Sequence, residues 1–180
     1  MGEERRISLI ITMLNSLENR EVILNYFPKL IGDSSFKITS PKSPDYNCIA
    51  WAGFVDNEWW QPGNDYEIDG VKFRWPPNIP KENKLKHYIE LFRQKKFILD
   101  SNDSFFEDGF RKVALYVKND QHNNALPLLD RICTHASRQL NNGTWTSKLG
   151  QEFDISHSDP YVIESKYYGI VGVILKKIHI

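Results

Sequence analysis

Two side chains could do nucleophilic chemistry together. They are Cys48, in Tyr46-Asn47-Cys48-Ile49-Ala50-Trp51-Ala52, and His135, in Thr134-His135-Ala136. Cys48 follows Ser40-Pro41-Lys42-Ser43-Pro44-Asp45, a segment built against regular structure, and opens a short apolar run that reads as a helix. The first turn of a helix offers unpaired N–H groups and the positive end of the dipole, both of which favour a thiolate. An ordinary thiol is mostly protonated at neutral pH, so it needs a neighbouring base, which an imidazole can supply. In this scheme Cys48 attacks an amide carbonyl and His135 acts first as base and then as acid. The Asn47 amide and the Cys48 backbone N–H hold the oxyanion. A third group would fix the imidazole tautomer; Asp154 ranks first, Gln151 second and Ser147 third. Each residue also has a plainer reading: Cys48 as a core thiol, His135 as an idle strand histidine, Asn47 as a helix N-cap.

The second cysteine, Cys133, lies two residues before His135, so a regular strand puts both on one face. Cys48, Cys133, His122, His135 and His157 show no recognised metal-ligand spacing, and no metal or other cofactor is expected. Neither a phosphate loop nor a dinucleotide fingerprint is present. Trp59 and Trp60 are adjacent, so an extended segment turns them to opposite sides, and one of them would wall a substrate groove. Core or loop packing is the competing explanation for the tryptophans.

These residues need elements to position them. Apolar spacing over residues 5–31 predicts one or two amphipathic helices with a break near Asn19, and residues 36–38 read as extended. A helix starts at Cys48 and ends near Gly53. Residues 56–80, rich in Trp, Pro and Gly, read as a packed irregular loop. Helical spacing returns at Leu85, Tyr88, Ile89 and Phe92. Residues 112–118 form a strand and 119–124 a turn or an exposed loop. Residues 133–140 form a second strand, joined through Asn141-Asn142-Gly143 to a return strand over 144–149, with Ser137 opposite Ser147 or Lys148. A short helix is expected within 157–168 and a last strand over 169–178. Helices first and an antiparallel sheet afterwards argue for an α+β fold, the N-terminal helices packed on a C-terminal sheet.

At 180 residues the chain fits one domain, 1–180, with a helical part over 1–39 and a core over 40–180. The formal net charge is zero, which offers no global field to draw nucleic acid or an anionic membrane. A peptide or protein is the expected substrate; oligomeric state is left open. Two cysteines are too few for a disulfide framework, and no signal peptide or run of about 20 apolar residues is visible. A cytoplasmic location is therefore expected, with export by a non-classical route left open.

Four blocks carry a resemblance. They are the Tyr46–Ala52 segment, Trp59-Trp60-Gln61-Pro62, Gly109 to Val117, and Thr134-His135-Ala136-Ser137-Arg138-Gln139-Leu140 with Gly143 to Gly150. In this order, over residues 40–175, they resemble an uncharacterised, mainly bacterial family of small proteins with "NCIAWA" and "THAARQL…WTSKLG" hallmarks. A looser similarity runs to papain-like cysteine hydrolases, including the NlpC-type and CHAP-type amidases. It implies a papain-like fold and protease, amidase or glutamine-deamidase activity through Cys48 and His135. The chain departs from papain-type proteases where Trp145-Thr146-Ser147-Lys148 is followed by Leu149-Gly150 rather than an Asn. Related deamidases use Gln as third member, which keeps Gln151 and Gln139 in play. The non-enzymatic alternative is an interaction module on the same fold, with the aromatic segment 56–80 as its contact surface.

Overall fold

The computed structural model describes residues 3–99 and 103–179. In chain order the elements are α1 (Glu3–Leu14), α2 (Leu17–Tyr26), β1 (Lys37–Ser40), α3 (Cys48–Ala52), β2 (Glu58–Trp60), β3 (Tyr66–Ile68), β4 (Val71–Arg74), α4 (Leu85–Gln94), β5 (Ile98–Leu99), β6 (Phe110–Val117), α5 (Gln121–Asn124), β7 (Cys133–Gln139), β8 (Trp145–Lys148), β9 (Asp154–His157) and β10 (Ile170–Ile178). The fold is α+β. Seven strands form one sheet in the order β1-β9-β8-β7-β6-β10-β5, and every neighbouring pair in it is antiparallel.

Strand alternation sends side chains to two faces, and each face builds a core. Val113, Leu115, Val117, Ala136, Val173 and Leu175 point to the face covered by α3 and α4. Leu85, Tyr88, Ile89 and Phe92 of α4 meet them there, at the spacing read from the sequence. Ala114, Tyr116, Trp145, Ile155 and Ile174 point the other way, against Ile23 of α2, Phe27 and Leu30.

The helix break lies at Asn15–Ser16, not near Asn19. Ser16 caps α2 by accepting the Asn19 N–H, so the residue expected to break the helix belongs to its first turn. Asn15 closes the sheet edge: its amide donates to Ile38 O and its carbonyl accepts from Ile38 N–H, both at 2.8 Å. β1 pairs with β9, so these bonds tie the end of α1 to the sheet, and the helical part does not end cleanly at residue 39.

The segment 56–80 is not an irregular loop. It folds into a second sheet, β2-β4-β3, because Asp69 (φ 52°) and Gly70 (φ 81°) take the left-handed pair that a tight β3–β4 hairpin needs. β2 then runs parallel to β4. The β7–β8 register is as expected, with Ser137 opposite Ser147. The helix expected within 157–168 is a single tight turn at Pro160–Ile163, and it follows a strand, β9, that the sequence reading missed. Residues 121–124, read as turn, form the one-turn helix α5, capped by Asp120. No helix among the described residues is long and apolar enough to cross a membrane.

Candidate functional site

Cys48 is the first residue of α3, as its sequence context suggested. Asn47 is the N-cap: its Oδ1 accepts from Ala50 N–H at 3.0 Å and from Trp60 N–H at 3.2 Å. Its Nδ2 donates to Trp60 O at 2.9 Å. The amide proposed for an oxyanion thus clamps α3 to β2. The Cys48 thiol borders a cleft of about 480 Å³ that is also lined by Asn47, Trp60, Lys81, Tyr88, Cys133 and Thr134. Trp60 is buried yet forms part of this wall. Trp59 does not line it; its Nε1 donates to Pro44 O at 2.6 Å and its ring lies 5.7 Å from Phe73.

Burial holds the thiol neutral. Burial pushes Cys48 up to about 11, against the backbone N–H groups of Ala136, Ile49 and Cys48 and the charge of Lys148, which all pull down. Burial raises Cys133 as well, and its Sγ–H points to His135 O at 3.9 Å.

His135 does not meet Cys48. In β7 the register slips by one residue between the pairs Tyr116–His135 and Val117–Cys133, which leaves Thr134 as a bulge. A one-residue bulge reverses the alternation beyond it. Cys133 therefore shares the α3 face with Ala136, while His135 turns to the opposite face. There it is fully buried, stacked on Tyr168 with centroids 3.9 Å apart and planes 4° apart, and edge-on to Tyr116. Neither ring nitrogen has a hydrogen-bond partner among the described residues. Burial, with a smaller contribution from His157, holds its pKa well below the usual imidazole range.

The three candidates for orienting His135 are elsewhere. Asp154 is in β9, on the α3 face. It accepts from Tyr46 Oη at 2.7 Å and lies 3.9 Å from the fully buried Lys148 Nζ. Burial raises the Asp154 carboxyl and lowers the Lys148 ammonium, each against the other's charge. Ser147 is on the His135 face, but its Oγ contacts His157 Nε2 at 2.9 Å, while His157 Nδ1 contacts Asp159 O. Gln151 is exposed in the β8–β9 turn, and Gln139 donates to Ser104 O and Gly143 O. Lys148 and Tyr46, which pack on one another beside Cys48, were missed. Alternation in Trp145-Thr146-Ser147-Lys148 put Lys148 on the Thr146 face, but nothing marked that face as buried.

A third feature lies outside both cores. Trp59, Phe73 and Tyr66 form a row of rings across the small sheet, with Phe73 and Tyr66 stacked at 4.3 Å and 7°. Tyr66 and Ile68 of β3 are exposed. Among the described residues no three His, Cys, Asp or Glu side chains gather closely enough to hold a metal ion.

The family described as "Domain of unknown function (DUF7689)" matches residues 37–176. No curated protein and no solved structure matches the chain.

Proposed function

Since the chain belongs to the DUF7689 family, whose description defines no activity, we propose a function from geometry alone: an interaction module that seats a peptide segment of a partner protein on the small sheet beside the Cys48 cleft. The row Trp59–Phe73–Tyr66 carries this reading. Three large rings that serve neither core are a costly use of apolar surface unless something covers them, and such rings anchor interfaces well. The cleft supplies the polar neighbour that would fix the register of a bound chain. Peptides selected on the full chain from a random display library should lose affinity about tenfold on Tyr66→Ala, with urea stability unchanged. They should bind Cys48→Ala like wild type. Equal binding by the Tyr66 variant would sink this reading.

A second reading, the papain-like cysteine hydrolase, keeps one observation in its favour: Cys48 heads α3 at the edge of the cleft with backbone N–H groups aimed at its sulfur. Peptide, isopeptide and glutamine side-chain amides would all be candidate substrates. It needs a proton acceptor to approach when substrate binds, because the charge that favours the resting thiolate comes from Lys148, an ammonium and not a base. The alkylation rate of Cys48 against pH separates the two. The module reading expects a rate that climbs steadily toward pH 11 and ignores His135→Leu. A plateau below pH 8 that His135→Leu abolishes would establish the hydrolase instead.

A further inference from the structure

The β5 side of the large sheet carries a concentration of positive charge that the neutral total conceals. A groove of about 810 Å³ there is lined by Lys95 and Lys96 after α4, Arg111 in β6, and Lys176, Lys177 and His179 at the end of β10. No acidic side chain lines it among the described residues.

Lys95, Lys96, Arg111 and Lys177 have no carboxylate partner among the described residues. Lys176 Nζ pairs with Glu107 at 2.9 Å behind the groove. Lys177 Nζ sits over the Phe97 ring at 4.5 Å and Lys95 Nζ over Trp60 at 4.9 Å, so rings take part of the role of counter-charges. Arg111 spends one Nη on His179, at 2.8 Å, and its buried Nε has no hydrogen-bond partner among the described residues. Burial lowers the Lys177 ammonium, and Arg111, Lys95 and Lys96 lower it further, so the group is held against its neighbours' repulsion.

Ordinary explanations cover part of this. Lysines suit the C-terminal end of a helix, and single lysines guard sheet edges. Neither reason makes cations from α4, β6 and β10 converge on one concavity in a chain of zero net charge. An anion in the groove would relieve the repulsion, and the second guanidinium Nη beside ammonium point charges offers donors that phosphoryl oxygens take.

We propose that this groove binds a small anion carrying two or more phosphoryl groups. Its volume matches a small-molecule site, and the charges surround a concavity rather than tracking along a surface as they would for a nucleic-acid strand.

The test is calorimetric titration of the full chain with tripolyphosphate, ATP and a single-stranded oligonucleotide, at low and physiological salt. Saturable tripolyphosphate binding that weakens with salt is expected. It should weaken about tenfold in Lys96→Glu, an exposed position, and hold within about twofold in Lys166→Glu, a matched reversal outside the groove. ATP binding more tightly than tripolyphosphate would identify a nucleotide as the source; equal affinity would identify the polyphosphate itself. No tripolyphosphate binding, equal losses in both variants, or saturable binding of the oligonucleotide alone would overturn the proposal.

Discussion

Acidification from pH 7 to about 4 is expected to remove about 3 kcal/mol of folding stability through His157 alone. Burial holds this imidazole at about 4 in the fold, against its hydrogen bond to Asp159 O, while the unfolded chain restores the ordinary value of 6.5. Between those values the unfolded state binds more protons, so stability rises with pH. It is fully present above about 6.5 and lost as pH falls toward about 4. His135, lowered in the same direction and without a hydrogen-bond partner among the described residues, adds to the loss in the acid range. Asp154, whose carboxyl is raised by burial, works in the opposite sense as it takes up its proton. Urea unfolding at pH 7 and pH 5 checks this. His157→Gln and His135→Leu should each shrink the difference between the two pH values, whatever they do to stability at pH 7. A wild-type stability that is flat from pH 7 to 5 would refute it.

The same experiment bears on function. A hydrolase of the Cys–His kind needs an imidazole that can accept a proton near neutral pH. His135→Leu removes two buried nitrogens that have no hydrogen-bond partner among the described residues, so the interaction reading expects stability at pH 7 to hold within about 1 kcal/mol. The histidine is then a filler of the Tyr116–Tyr168 slot and not a base.

That difference turns on one bulge, and it shows where the sequence could and could not be read. Asn141-Asn142-Gly143 marks a tight hairpin locally, so the residues narrowed the partner of Ser137 to Ser147 or Lys148, and the structure selects Ser147. The apolar spacing of α4 was equally local. The face occupied by His135 was not, because it depends on whether β7 is regular at Thr134. Thr134 earns its bulge through a tertiary contact, the short hydrogen bond from its Oγ to Tyr168 O, and Tyr168 lies 34 residues away. The small sheet was hidden for another reason. Its strands are three or four residues long, and Asp69-Gly70, the one strong hairpin signal, sat among Trp, Pro and Gly residues that read as loop. In the Lys148–Asp154–Tyr46 cluster Tyr46 lies 108 positions from Asp154, so no local pattern could bring it to the β8–β9 hairpin.

Among the described glycines, Gly169→Ala should be the most damaging, costing more than about 3 kcal/mol. Gly169 sits at φ 74°, where a side chain costs about 1–2 kcal/mol by itself. Its added Cβ would also fall 1.8 Å from Val117 O and 2.7 Å from Val117 C. Those atoms are backbone at the end of β6, a strand paired on both sides, and cannot rotate aside. Gly169 N–H donates to Ser165 O at 2.7 Å and its own carbonyl accepts from Ser165 N–H, so the turn that carries Tyr167 and Tyr168 would shift with it. Displacing Tyr168 would uncover His135 and withdraw the acceptor that holds the Thr134 bulge. Gly150→Ala is the control: φ is 61°, but no atom lies within 4 Å of the added Cβ, so only the backbone cost of about 1–2 kcal/mol applies. Urea midpoints of the two variants should therefore differ widely. Equal midpoints would mean that β6 and the Ser165–Gly169 turn are not packed as tightly as the geometry gives. In that case the bulge, and with it the burial of His135 away from Cys48, would lose its support.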